Sequence, residues 1–338
     1  MKVIGALGAL LFLLACGSSE PDAPAATGAP GGSGGAAGSG GTAGAAGEGA
    51  AGSAGEGGAV GAGQGGAGCG VCGEYGASER GVKLAIPALT ELSGLAASRL
   101  RPGVFYAHND SGDGPRIFAL TLEGALVSEH ELTGAKAEDW EDIAAGPCAA
   151  GRCLFVADIG DNQRKRPEVV IYRVDEAALA SPQGKAVPAE GLRAVYPDGP
   201  HDAETLLADP TSGDLFVITK EESGPSLVFR LPAAASTEAP TTLELAAQLV
   251  LPQGGNRLAT AGDAHPCAPR FVLRTYNRAY EFRGPDGGSL VDAFAAAPLS
   301  VPVETEVQGE AIAYLADGAG FVTISEGKGP WINQTRCP

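Results

Sequence analysis

The chain has 338 residues, with 23 Lys and Arg against 40 Asp and Glu and a formal net charge of −17. A negative excess of this size disfavours nucleic acid and anionic membrane surfaces as partners and favours cations or basic ligands, besides keeping a protein soluble. Glycine accounts for 52 residues and is concentrated in 17–68, a Gly/Ala/Ser-rich stretch that buries too little apolar surface to offset its ordering entropy and reads as a disordered tether.

At the N-terminus, Lys2 is followed by an apolar run over 3–14, too short to span a bilayer and of the length of a signal-peptide core. The run closes in Leu13-Leu14-Ala15-Cys16, which resembles the bacterial lipobox. The resemblance implies that residues 1–15 are removed and that Cys16 is acylated, several acyl chains giving stable anchoring. The alternative is an ordinary secretory signal cut at a small residue. Gly17 stands where inner-membrane lipoproteins carry aspartate, which implies export to the outer membrane. The domain order is then signal peptide (1–15), lipidated cysteine and tether (16–68), and one domain (69–338). A Gly-rich coil of the tether's length reaches about 40 Å, so the membrane is met through the lipid anchor only.

Six cysteines remain in the domain, an even number that in an exported chain argues for disulfides. Cys148 and Cys153 flank Ala-Ala-Gly-Arg in a hairpin and form the best pair. Cys69, Cys72, Cys267 and Cys337 permit three connectivities. Without a βαβ context or a second Cys-x-x-Cys, Cys69-Gly-Val-Cys72 reads as a staple where tether meets fold.

The strongest signal is an internal repeat. Five segments pair a short apolar strand with a second strand built on Phe plus Val or Tyr: 92–97 with 104–107, 140–145 with 154–157, 203–207 with 215–218, 259–264 with 270–273, and 309–314 with 320–323. The anchors Phe105, Phe155, Phe216, Phe271 and Phe321 are spaced by 50, 61, 55 and 50 residues. Third strands follow at 116–120, 169–174 and 227–231, separated by Asp-Gly, Ser-Gly and Pro-Asp-Gly turns. No long stretch has helical periodicity. The pattern predicts an all-β β-propeller of five or six blades. Residues 82–86 would supply the outer strand of the last blade and close the ring without an exposed edge.

The succession Asn109-Asp-Ser-Gly, Asp139-Trp-Glu-Asp-Ile-Ala, Ala157-Asp-Ile-Gly-Asp-Asn, Asp202-Ala-Glu-Thr-Leu, Arg274-Thr-Tyr and Gln308-Gly-Glu-Ala-Ile resembles bacterial extracytoplasmic propellers of uncharacterised function, grouped loosely with phytase-like and calcium-dependent propellers. The likeness spans 92–327 and implies the fold more directly than an activity.

In a propeller the start of each blade's first strand and the end of its second lie at one rim. Ser93, Glu141, Glu204, Thr260 and Glu310 open the first strands. Asp110, Asp158 with Asp161, Lys220 with Glu221, Arg274 and Glu326 end the second. Crowded carboxylates must protonate, pair with a base or bind a cation. Hard oxygen ligands suit Ca²⁺, with Glu141, Glu204, Glu310, Asp158 and Asp161 as the metal candidates. The competing arrangement has Lys220 and Arg274 neutralise the ring. Ser93, Asp110, Glu221, Arg274 and Glu326 complete the ligand-binding mouth, with His108, Lys220 and Arg274 as catalytic candidates. Asn109-Asp-Ser-Gly-Asp-Gly114 is no EF-hand, because its twelfth position is Leu120.

Two functional readings result. The first is a non-catalytic surface module that holds a cation and presents the mouth to a small polar ligand, a glycan or a protein. The second is a metal-dependent phosphate-ester hydrolase, in which Lys220 and Arg274 stabilise charge.

Overall fold

The computed structural model describes residues 68–180, 186–306 and 308–338. The expected signal peptide, the acylated Cys16 and the tether up to residue 67 lie outside the described residues.

From Leu92 onward the chain lays down five sheets one after another, each an antiparallel meander running from the centre outward, with short parallel strands, Val187–Pro188 and Thr241–Thr242, added at the edges of the first and second. Blade 1 is Leu92–Ala97, Val104–Asn109, Arg116–Thr121 and Leu126–Thr133. Blade 2 is Trp140–Cys148, Gly151–Asp158, Val169–Asp175 and Glu190–Val195. Blade 3 is Ala203–Ala208, Leu215–Thr219, Ser226–Leu231 and Glu244–Leu249. Blade 4 is Ala259–Ala264, Arg270–Thr275, Arg278–Arg283 and Leu299–Val301. Blade 5 is Gly309–Tyr314, Gly320–Ser325 and Trp331–Arg336. The first strands of consecutive blades touch in turn, and that of blade 5 touches that of blade 1. The architecture is therefore a five-bladed β-propeller.

Burial follows from this stacking. Strands packed by neighbouring blades on both faces cannot alternate polar and apolar residues, and all five first strands are buried over their full length apart from the hairpin end of Trp140–Cys148. The fourth strand of blade 1, Leu126–Thr133, has one wetted face and alternates over its second half. The hydrophobic core accordingly divides into five clusters, one for each junction between blades. The cluster joining blade 5 to blade 1 contains Leu95, Phe105, Ala313 and Ile332, so the ring has no seam where the chain ends meet.

Closure uses an N-terminal strand, as the sequence predicts, but slightly earlier: Glu79–Lys83 pairs antiparallel with Trp331–Arg336 as the fourth strand of blade 5. Two disulfides secure the same corner, Cys69–Cys267 and Cys72–Cys337, while Cys148–Cys153 closes the hairpin of blade 2. Three disulfides belong to an oxidising, extracytoplasmic compartment.

A carboxylate-lined mouth as the candidate functional site

Each first strand carries a β-bulge at the same place. Leu92 lies opposite Asn109 and Gly94 opposite His108, which leaves Ser93 without a partner. The same skip occurs at Glu141, Glu204, Thr260 and Glu310. A bulge inserts one residue into a strand and re-aims its side chain. Five repeats thus deliver five bulged residues to the opening of the ring, the same five that the repeat aligns.

They divide into two kinds. The Ser93 hydroxyl donates to the Glu141 carbonyl at 2.5 Å, and the Thr260 hydroxyl donates to the Gly309 carbonyl at 2.8 Å. Each stitches its strand to the first strand of the next blade. The three glutamates remain at the opening although they are almost fully buried, with Glu141 4 % exposed.

Asp110 and Asp139 complete the tightest group. Carboxylate oxygens of Asp110, Asp139 and Glu141 all lie within 4.8 Å of one another. No described residue donates a hydrogen bond to the Glu141 carboxylate or forms an ion pair with it. The local backbone makes room: a Cβ at Gly160 would overlap Glu141 Oε1 and approach Asp139 Oδ2 to 2.5 Å. Burial and the neighbouring Asp110 push Asp139 up to about 6. Burial, then Glu204, Asp110 and Asp139, hold Glu141 well above the usual carboxylate range.

Across the opening the contacts differ. Lys220 Nζ donates to Glu204 and, at 2.9 Å, to the Tyr276 hydroxyl. Burial raises Glu204 to about 7 even with this ammonium beside it. Burial, together with the neighbouring carboxylates of Glu326 and Glu204, lifts Glu310 to about 8. Gln308 Nε2 donates to Glu326. A groove of about 410 Å³ opens off this side, lined by Asn162, Asp202, Lys220, Ser223 and Leu258 among others.

Further into the ring, the Asp142 carboxylate accepts from Leu206 N at 2.9 Å and Gly262 N at 3.2 Å, and Asp263 accepts from Tyr314 N at 2.9 Å. Burial raises Asp263 to about 6 despite the nearby Arg99.

Several expected site residues have other work. Arg274 is buried beside the mouth: it is 0 % exposed, pairs with Glu306, and lies so close to Gly309 that no Cβ would fit there. Ser93 is spent on the Glu141 carbonyl. His108 is buried edge-on to Trp140 beneath Gly94, with burial lowering it to about 4. Asp158 and Asp161 face Arg166 rather than the glutamates. Arg166 Nη1 is 2.8 Å from Asp158, whose oxygens also accept from the amides of Glu138 and Asp139, and the Arg166 amide donates to Asp161 at 2.7 Å. These two aspartates fold the loop that carries Gly160. Glu221 pairs with Arg164 at 2.8 Å on the rim of the groove. Asp113 likewise binds Arg116 and accepts from Asn109 Nδ2, so 109–114 is a turn. Of the predicted set, Glu141, Glu204, Glu310, Asp110, Glu326 and Lys220 come together.

The repeat alignment does not single out Asp139 or Gly160. Asp139 stands in the quoted Asp-Trp-Glu-Asp motif, but only the bulge at Glu141 brings its carboxylate beside that of a residue two positions later. A second cluster of ligand-type side chains, Cys69, His265 and Cys267, offers no thiolate, because its cysteines are bonded to each other.

Comparison with protein families matched none, and comparison with curated proteins matched none. Among solved structures, a chain of a nidogen/laminin complex is similar in fold, with a TM-score of 0.41, 16 % identity, and 72 % of this chain and 74 % of that chain covered.

Proposed function

We propose that the protein is a non-catalytic binding module, held outside the cell by a lipid on Cys16, whose mouth takes up a divalent cation, Ca²⁺ foremost. The observation that carries this is the Glu141 carboxylate: nearly buried, without a hydrogen-bond or ion-pair partner among the described residues, and within 4.8 Å of two further carboxylates. Oxygens around one Ca²⁺ lie about 2.3–2.6 Å from it, and so no more than about 5 Å from one another. The Asp110, Asp139 and Glu141 oxygens satisfy that limit, with Glu204 on the adjoining side. An unpaired buried carboxylate is costly, and a cation relieves the cost.

The hydrolase reading has less support. It relies on Lys220 and Arg274 to meet a phosphate, but Lys220 is engaged by Glu204 and Tyr276, and Arg274 is buried against Glu306. Bound metal alone would have to overcome the surrounding negative charge.

The test is thermal melting of the purified protein after chelation, with Ca²⁺, Mg²⁺ or Mn²⁺ restored. A ligand that binds only the folded state at a hundredfold excess over Kd adds about 2.7 kcal/mol, or roughly 5 °C or more in midpoint. Glu141→Gln together with Asp110→Asn should abolish the rise, and a midpoint indifferent to all three ions refutes the cation reading. The anchor is tested separately: Cys16→Ala should move the protein from the membrane to the soluble fraction.

A further inference from the structure

We infer that the mouth is two-sided, with the cation on the side of blades 1 and 2, and that its ligand is a neutral, hydroxyl-rich small molecule, a sugar or polyol, bound across blades 3 to 5. This rests on the cation reading above and adds the ligand's chemistry to it.

The sidedness lies in the distribution of donors. On blades 1 and 2 the mouth groups three carboxyls, Asp110, Asp139 and Glu141, with oxygens within 4.8 Å of one another. Ser93 is committed to a backbone carbonyl, and Arg166 to Asp158 and the Gly160 carbonyl. Blades 3 to 5 carry the donors: the Lys220 ammonium, the Tyr276 hydroxyl and the Gln308 amide, interleaved with the acceptors Glu204 and Glu326. Clustered carboxylate oxygens suit a metal ion. Alternating donors and acceptors suit hydroxyl groups, each of which gives one hydrogen bond and accepts others. A ligand with two adjacent hydroxyls can complete the oxygen shell of a Ca²⁺ held by three carboxylates, since the ion takes six to eight oxygens. Its remaining hydroxyls then meet Tyr276, Gln308 and Glu204.

The groove supplies the space. Its roughly 410 Å³ falls within the range of small-molecule sites, and it joins the mouth at Lys220. Asn162 and Ser223 offer further donor–acceptor groups, and Leu258 offers an apolar face. Charge selects for neutrality: Asp202, Glu221 and Glu222 line the groove against Lys220 and Arg164, and those two cations are already paired with Glu204 and Glu221. A carboxylate or phosphate on the ligand would meet three acidic side chains, and the groove's two described cations are each already paired with a glutamate.

The experiment is isothermal titration of the Ca²⁺-loaded protein with neutral hexoses, inositol and the corresponding uronic acids, repeated in chelator. The expected result is binding of at least one neutral compound with Kd below about 10 mM, lost in chelator, with its uronate at least about tenfold weaker, one such factor being about 1.4 kcal/mol. Gln308→Ala and Tyr276→Phe should each weaken that binding by about tenfold, the worth of one hydrogen bond, with the Ca²⁺-induced rise in melting midpoint as the separate readout. A protein whose midpoint rises with Ca²⁺ but which binds no neutral polyol, or binds uronates equally well, overturns this inference and leaves the cation reading standing. A midpoint that Ca²⁺ does not move removes both.

Discussion

The carboxylate of Asp142 on blade 2 accepts the backbone N–H of Gly262 on blade 4 at 3.2 Å, across the centre of the ring. The same oxygen takes the Leu206 amide of blade 3 at 2.9 Å, and the other takes the amide of Ile143 in its own strand. One side chain thus bonds to three of the five blades. The close stacking of blades here needs a small residue at 262, where a Cβ would stand 2.9 Å from Thr205 Cγ2 of blade 3.

Asp142→Ala should therefore be among the most damaging single substitutions in the domain. It leaves two buried inter-blade amides without acceptors, each costing about 1–3 kcal/mol, and opens space at the axis. A loss of about 2–5 kcal/mol is expected in denaturant or thermal unfolding. A change below about 0.5 kcal/mol, the usual range for a neutral surface site, would show that the axial bonds are dispensable.

The mouth makes stability depend on pH in an unusual sense. Asp139 is raised to about 6, Glu204 to about 7 and Glu310 to about 8, each chiefly by burial. Unfolded Asp and Glu titrate near 4. Between about pH 4 and pH 8 these three groups bind more protons in the folded protein than in the unfolded chain, so their contribution to stability falls as pH rises, opposed below about pH 6.5 by the buried His108. In chelator the melting midpoint should drop from pH 5.5 to about pH 8.5 and then level off. Added Ca²⁺ should raise it more at pH 8 than at pH 5.5, because protons compete for the same carboxylates. A metal-free midpoint that climbs across this window would contradict the charge arrangement.

Gly160→Ala tests the packing around the triad. The new methyl would collide with Glu141 Oε1 and Asp139 Oδ2, whereas the loop itself is held by Arg166 through Asp158 and the Gly160 carbonyl. The expected variant is folded, with a near-native circular dichroism spectrum, but has lost at least about tenfold in Ca²⁺ affinity. Unchanged affinity would mean that the ion, if bound, sits elsewhere in the mouth.

The disulfides should contribute very unequally. Cys72 and Cys337 are 265 residues apart and tie the first segment of the domain to its last strand, whereas Cys148 and Cys153 are 5 apart within one hairpin. Chain-entropy stabilisation grows with the loop closed. Replacing Cys72 and Cys337 by serine should cost about 2–5 kcal/mol and expose the pairing between Glu79–Lys83 and Trp331–Arg336 to hydrogen exchange. The same change at Cys148 and Cys153 should cost less and leave exchange at that pairing unaltered. Equal costs for the two pairs would contradict the role of the first in closing the ring.

The repeat reveals the blades because each one needs the same apolar second strand to pack on its neighbours, and all five phenylalanine anchors lie there, 3 % exposed or less. Register was harder to read. Phe105, Phe271 and Phe321 pack toward the preceding blade, but Phe155 and Phe216 pack toward the following one. In these two blades the anchor faces the third residue after the bulge, Ala144 or Leu207, and in the others the fourth. A one-residue difference in pairing sends a side chain to the opposite face of a strand, and phenylalanine suits either face equally.

By itself the sequence determined an all-β repeat, the closing N-terminal strand, the Cys148–Cys153 bond and the five residues that open the ring, because periodic burial and turn chemistry are local and recur with each blade. Only the tertiary structure decided which of the polar residues near the rim are free. Arg274, His108, Asp158 and Ser93 were absorbed by Glu306, Trp140, Arg166 and a neighbouring carbonyl, while Asp139 joined Asp110 and Glu141. Those choices depend on bulges and on contacts between separate blades, and such contacts are set by the angle at which sheets stack rather than by spacing along the chain.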